Sequence, residues 1–238
     1  MQKEYKIVVV GLGYVGLSCA ALLAQKNQVI GVDISTDKVK SINDEIAPFD
    51  DKELSDFLRN KNLNLTATTD FAHAIINADF IIIATPTNYD KDTNYFDTSS
   101  VETLIKKASE IASSASIVVR STIPVGYIRE LRQKFNVKSL FFAPEFLREG
   151  SALIDSLYPT RIVIGENSKQ AQLFCKLILD CAIKQDIDVL FTDPDEAEAI
   201  KLFANSYLAM RVAFFNVLDS YALARAMDSK QIINGVCL

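Results

Sequence analysis

The chain has 238 residues, 25 basic against 30 acidic side chains, a formal charge of −5 and 49% hydrophobic residues. At roughly 150 residues per domain that is one large domain or two smaller ones, and 23% charged residues with only 8 Gly and 6 Pro exclude a disordered or fibrous chain. An isoelectric point near 5.0 excludes a general nucleic-acid binder, because neutralising phosphates requires a clustered basic face.

Residues 6–10, a lysine and four β-branched residues, read as a first strand, followed by three glycines and an alanine- and leucine-rich segment that reads as a helix over 14–26. The uncharged stretch 7–24 imitates a signal peptide or a short membrane helix, but the glycines at 11, 13 and 16 favour strand, tight turn and buried helix. Further strand-like runs lie at 29–32, 80–84, 117–119, 140–143, 161–164 and 189–191. Helix-period segments at 36–43, 101–112, 125–135 and 169–180 alternate with them. Such alternation implies βαβ units with right-handed crossovers, so the expected class is α/β: a Rossmann-like doubly wound parallel sheet followed by a long central helix. In such sheets ligands bind beyond the carboxyl ends of the strands. Here those positions are Gly11 to Gly16, Asp33, Thr85 to Tyr89, Ser121 and Thr122, and Pro144 to Glu149.

Gly11-Leu12-Gly13-Tyr14-Val15-Gly16 fits GxGxxG directly after a strand and at the opening of a helix. The first glycine permits the turn, the second lets the backbone approach a pyrophosphate, and the third allows close helix packing. The second strand ends at Asp33, 22 residues after Gly11. A carboxylate there can accept both ribose hydroxyls of an adenosine and repels a 2′-phosphate, which favours NAD over NADP. The alternatives are a set of turn glycines with a helix-capping Asp, or an adenosyl-cofactor methyltransferase sharing the strand-two acid.

Asp193-Pro194-Asp195-Glu196 is a helix start signal, and from it the pattern runs without Gly or Pro to about Met227. The apolar stretch 199–218 carries Lys201, Asn205, Arg211 and Asn216, and a charge at bilayer depth costs roughly 2.5 to 3.5 kcal/mol, so no membrane span is expected. Lys201 and Asn205, at i and i+4, share one face with Ala204 and Leu208; an exposed lysine there would be ordinary, whereas a buried one needs a partner or a task. The expected domains are residues 1–192, a nucleotide-binding domain, and 193–238, the long helix with the start of a further domain. An apolar segment at 232–238 carries no stop signal, so a second domain or a second copy is expected to cover the helix. The four cysteines, Cys19, Cys175, Cys181 and Cys237, form no CxxC pair, and reduced thiols in a cytoplasmic protein with no metal site are expected.

The blocks GLGYVG (11–16), ATPTNYD (84–90), STIPVG (121–126), APEFLREG (143–150), LYPTRIVIG (157–165) and EAIKLFANSYLAMRVAFFNVLD (198–219) together resemble the nucleotide-sugar 6-dehydrogenases of the UDP-glucose/GDP-mannose dehydrogenase family. The resemblance spans essentially the whole chain. It implies an NAD-binding domain, a long central helix through which a homodimer forms, and UDP-glucose as the first-choice substrate, since sister enzymes differ most in the blocks reading ATPTNYD and PEFLREG. It also implies residue roles. Gly11, Gly13, Tyr14, Val15, Gly16, Asp33, Lys38, Thr85, Thr122 and Glu149 match NAD contacts. Glu145, Phe146, Leu147, Arg148 and Glu149 match a loop that holds the sugar. Lys201 and Asn205 match an oxyanion-stabilising pair, a sensible use of an ammonium and an amide one turn apart. Thr122 and Glu149 match a pair that places the hydrolytic water, with Glu149 as proton acceptor, and Glu145 matches a carboxylate near the reacting carbon whose role as acid or base stays open.

The resemblance implies a four-electron oxidation at C6, from alcohol through aldehyde and a cysteine thioester to carboxylate. The nucleophile belongs to a GGYCLPKD-like motif that does not occur in these 238 residues. Cys237, in GVCL, is expected as a packed small apolar residue instead. The chain is therefore expected to be an N-terminal portion that binds NAD without turning over UDP-glucose alone. A related dehydrogenase for another nucleotide sugar, a hydroxyacid dehydrogenase with a Rossmann domain and long helix, and a non-catalytic NAD-binding or dimerisation module are the alternatives.

Overall fold

A computed structural model describes residues 3–91 and 95–238. In chain order the elements are β1 (Lys6–Val10), α1 (Tyr14–Leu23), β2 (Gln28–Val32), α2 (Thr36–Asn43), α3 (Lys52–Asn60), β3 (Leu65–Thr68), α4 (Phe71–Ala74), β4 (Phe80–Ile83), β5 (Tyr89–Asp90), β6 (Tyr95–Phe96), α5 (Ser99–Ile111), β7 (Ser116–Val119), α6 (Tyr127–Phe135), β8 (Leu140–Phe142), α7 (Ala152–Leu157), β9 (Arg161–Ile164), α8 (Lys169–Cys181), β10 (Asp188–Phe191), α9 (Pro194–Leu223) and α10 (Ser229–Val236). They divide into two compact units, one up to Ala199 and one from Ile200 to Leu238.

The first unit is built on a six-stranded sheet in the order β3-β2-β1-β4-β7-β8, every neighbouring pair parallel. This is the expected doubly wound Rossmann-like sheet. Its central strands are buried throughout except for Lys6 at the start of β1, as near-continuous apolar runs require of a sheet covered on both faces. On one face α1 is apolar all round and buried from Gly16 to Leu23, against a core holding Leu17, Leu22, Phe80, Phe141 and Phe174. β9 and β10 do not join the main sheet; they pair with each other, in parallel, and Gly165 following β9 donates its N–H to the Phe142 carbonyl at 2.8 Å.

α3, β3, α4, β5, β6, α7 and α10 lie outside the sequence reading, and three of them shape the first unit most. β3 carries Leu-Thr-Ala-Thr, half-buried at the sheet edge, where no apolar run is needed. α3 is a short amphipathic helix whose Asp51 accepts the Leu54 N–H at 2.8 Å, turning Leu54 and Leu58 inward. α7 buries Ala152, Leu153 and Leu157.

In the second unit α9 ends at Leu223, four residues short of the expected Met227. The chain turns left-handed at Ala226 (φ 51°), Met227 donates to the Ala222 carbonyl, and Asp228 caps α10 by accepting the Lys230 N–H at 2.9 Å. Ala222 is buried, whereas Phe203, Met210, Phe214 and Val217 are exposed. Cys237 is exposed, not packed as expected, because the last turn of α10 buries none of its residues. Among the described residues no helix is long and apolar enough to cross a membrane.

Candidate functional site

The carboxyl ends of β1, β4, β7 and β8 open into one cleft of about 410 Å³, lined by Gly13, Tyr14, Val15, Ala84 to Asn88, Arg120 to Thr122, Glu145, Leu147 to Glu149 and Ala152. Its floor is the glycine turn. Gly11 sits at φ 90°, and a Cβ there would lie 2.7 Å from the Ala84 carbonyl oxygen; at Gly16 a Cβ would lie 1.8 Å from the Gly11 oxygen. Gly13, by contrast, has nothing within 4 Å of where its Cβ would be. Two glycines thus pack the turn against β4 and α1, and the third keeps its outer face open.

α1 starts at this turn with no acidic residue in its first turn and no side-chain cap on its N-terminus. Uncapped amides at a helix start, with the positive end of the helix dipole behind them, suit a phosphate. Beside them, Asp33 follows β2, 8% exposed. Its Oδ2 accepts the Leu12 N–H at 2.8 Å and its Oδ1 accepts the Ser35 N–H at 3.0 Å, while the Lys38 ammonium stands 3.6 Å from Oδ2. A carboxylate has about four acceptor positions, so two remain for hydroxyl groups. The acid faces the glycine turn and the cleft is open, so the chain's own groups fit a dinucleotide: amides for its diphosphate and a carboxylate for a ribose. Ile34, next to Asp33, is 99% exposed. It offers an apolar face beside the carboxylate, and its only sequence signal was an Ile placed just beyond a strand.

The loops after β4 and β7 are tied together. Ser121 donates its hydroxyl to the Thr85 carbonyl at 2.6 Å, Thr87 donates to the Thr122 carbonyl at 2.6 Å, and the hydroxyls of Thr85 and Ser100 lie 3.0 Å apart. After β8, Glu145 folds its carboxylate back to accept the Leu147 N–H at 2.7 Å. Arg148 pairs with Asp155, its Nη2 2.7 Å from Oδ1 and its Nε 3.1 Å from Oδ2. The Arg148 hydrogen bond holds the Asp155 carboxyl below its ordinary value. Arg120 was missed in the sequence because it ends an apolar strand run; it borders the cleft, and its Nε is buried without a hydrogen-bond partner among the described residues.

The structure therefore brings Gly13, Tyr14, Val15, Thr85, Thr122, Glu145, Leu147, Arg148 and Glu149 to one cleft. Gly11, Gly16, Asp33 and Lys38 shape the glycine turn at one end of the cleft without lining the cleft itself. Phe146 turns to a smaller neighbouring cavity, where the Arg161 guanidinium sits 3.9 Å above its ring. Lys201 and Asn205 belong to the second unit, one helical turn apart on α9; Lys201 is buried at 5% exposure and Asn205 is exposed.

Residues 5–183 match the NAD binding domain of the UDP-glucose/GDP-mannose dehydrogenase family, and residues 195–238 match that family's central domain. The UDP-glucose 6-dehydrogenase of Streptococcus pneumoniae is 48% identical over 98% of this chain and 60% of its own length. That of Campylobacter jejuni is 46% identical over 97% of this chain and 59% of its own length. Among solved structures, a ternary complex of GDP-mannose dehydrogenase from Pseudomonas aeruginosa superposes with a TM-score of 0.87 at 30% identity, covering 98% of this chain and 56% of that one. A UDP-glucose dehydrogenase from Pyrobaculum islandicum gives 0.87 at 26% identity, covering 99% and 57%. The chain spans about 60% of the length of these curated relatives.

Proposed function

This chain belongs to the UDP-glucose/GDP-mannose dehydrogenase family, and we propose that it supplies the NAD-binding half, and part of the active site, of an enzyme oxidising UDP-glucose to UDP-glucuronate at C6. The observation that carries this reading is the Asp33 carboxylate turned toward the glycine loop at the uncapped start of α1. UDP-glucose is preferred over other nucleotide sugars because the relatives at 46% and 48% identity are named for it. We take residues 1–192 as the cofactor domain and 193–238 as the start of a further domain.

NAD held in this cleft would supply the hydride acceptor for each of the two oxidations at C6. The residues have separate tasks. The α1 amides would hold the diphosphate and Asp33 the adenosine ribose with Lys38 beside it, while Thr85, Thr122 and Glu149 would make further contacts with the cofactor. Glu145 to Glu149 form the sugar-facing loop, with Glu149 taking a proton from the hydrolytic water that Thr122 helps to place. Lys201 and Asn205 stabilise negative charge on the C6 oxygen. The exposed apolar residues of α9 support a homodimer through that helix. Four free cysteines suit a reducing cytoplasm.

Calorimetry of the purified chain with NAD, NADP and UDP-glucose tests the assignment, alongside absorbance of NADH. Binding of NAD in preference to NADP, with no NADH formed from UDP-glucose by this chain alone, is the expected result. Absence of NAD binding sinks the cofactor reading, and NADH formation sinks the incomplete-site reading.

A further inference from the structure

α6 is preceded by Gly126, which sits at φ 87° at its N-cap and brings no side chain to satisfy the first amides of the helix. The cap comes from 70 residues away. Glu198, on the opening turns of α9 and fully buried within the first unit, accepts the Gly126 N–H through Oε2 at 2.5 Å and the Ile128 N–H through Oε1 at 2.8 Å. Burial pushes its carboxyl above the ordinary value, and the donated amides of Ile128 and Gly126 pull it back. A second tie runs beside it, Arg129 of α6 to Asp195 of α9 at 3.0 Å. The opening of α9 is seated closely on the sheet as well: a Cβ at Gly165 would lie 2.9 Å from the Ala197 Cβ and 3.1 Å from the Pro194 Cα.

Gly126 closes the 121–126 loop, and Thr122 lies inside it on the wall of the cleft. At its start the loop is held by β7 and by the Ser121 hydroxyl on the Thr85 carbonyl. Within it the Thr122 carbonyl accepts the Thr87 hydroxyl at 2.6 Å, and at its end Glu198 accepts the Gly126 N–H, with the Arg129–Asp195 pair just beyond. A carboxylate buried away from water costs free energy, and at φ 87° no L side chain at position 126 could take over the cap without strain. We propose that Glu198 is a positioning residue: by gripping the amides of Gly126 and Ile128 it fixes the end of the 121–126 loop and so sets the place of Thr122 in the cofactor cleft. Glu198 acts through the loop and touches no substrate.

This role rests on the reading of the cleft as an NAD site, and a double-mutant cycle separates the two. NAD affinity is measured by calorimetry for the wild-type chain, Thr122→Ala, Glu198→Gln and the double variant, each verified as folded by circular dichroism. Gln presents one acceptor oxygen where Glu198 gives a separate oxygen to each amide, so Glu198→Gln is expected to weaken NAD by roughly 3- to 10-fold. The double variant should then bind no more weakly than Thr122→Ala alone. Strictly additive losses, or unaltered affinity in Glu198→Gln, overturn the positioning role while leaving the NAD reading intact. A wild-type chain that fails to bind NAD overturns both. Asp51→Ala removes the cap of α3 as a purely structural control; a loss of affinity equal to that of Glu198→Gln would overturn the role. Should Glu198→Gln fail to fold, Gly126→Ala replaces it in the cycle, because a Cβ there meets no atom within 4 Å yet strains the φ of 87° that ends the same loop. The same non-additivity with Thr122→Ala is expected, and its absence overturns the role.

Discussion

The Asp33 carboxylate accepts the backbone N–H of Leu12 at 2.8 Å across 21 residues of sequence, joining the end of the second strand to the turn after the first. One side chain thus shapes the glycine turn and faces the nucleotide that the turn is proposed to hold. Replacing Asp33 by Ala removes both functions. NAD affinity of the chain, measured by calorimetry, should fall by about 10- to 100-fold, the loss of charge-assisted hydrogen bonds worth about 1.5–3 kcal/mol. The preference for NAD over NADP should shrink in parallel; an unchanged preference would argue against ribose recognition by this acid.

Gly16 and Gly13 should separate folding from binding. At Gly16 a Cβ would lie 1.8 Å from backbone oxygen, which cannot swing aside, so Gly16→Ala should cost about 3 kcal/mol or more, or prevent folding. At Gly13 a Cβ meets nothing within 4 Å, so Gly13→Ala should melt close to wild type yet bind NAD weakly, because the methyl group occupies the approach of the diphosphate. Thermal unfolding and calorimetry on the same two variants decide the matter.

The Arg148 hydrogen bond lowers the Asp155 carboxyl. A carboxyl lowered by folding adds stability that is complete above its unfolded value of about 3.9 and is lost as pH falls through the folded value. Asp155 should therefore titrate below the ordinary carboxylate range by NMR, and Arg148→Ala should return it there while flattening the stability change on the acid side of pH 4. An Asp155 titration indifferent to Arg148→Ala would remove the pair as the cause.

Burial pushes the thiols of Cys175 and Cys181 up to about 11 and raises that of Cys19, whereas Cys237 is exposed. The thiolate is the reactive form. In the native chain near pH 8, a disulfide reagent should label Cys237 rapidly and the other three only after denaturation. Rapid native labelling of two or more thiols would contradict the packing around α1 and α8.

Short-range patterns were legible in the sequence. The β1–glycine–α1 unit could be read because strand period, turn chemistry and helix composition all lie within residues 6–26. Asp33 could be read because the strand before it ends sharply, and the cleft loops because parallel strands present their carboxyl ends together. β3, α3 and α7 escaped notice because edge strands and short helices are apolar on one side only, a weak signal over a few residues.

Amino-acid order alone determined the α/β class, the dinucleotide turn and most of the cleft lining, since each depends on neighbours a few residues apart. Tertiary structure decided that β9 and β10 stand off the main sheet, that Phe146 turns to Arg161 away from the cleft, and that Glu198 caps a helix 70 residues distant. These are choices among partners remote in the chain, and only close packing of the folded unit, with its demand that buried polar groups find mates, selects between them.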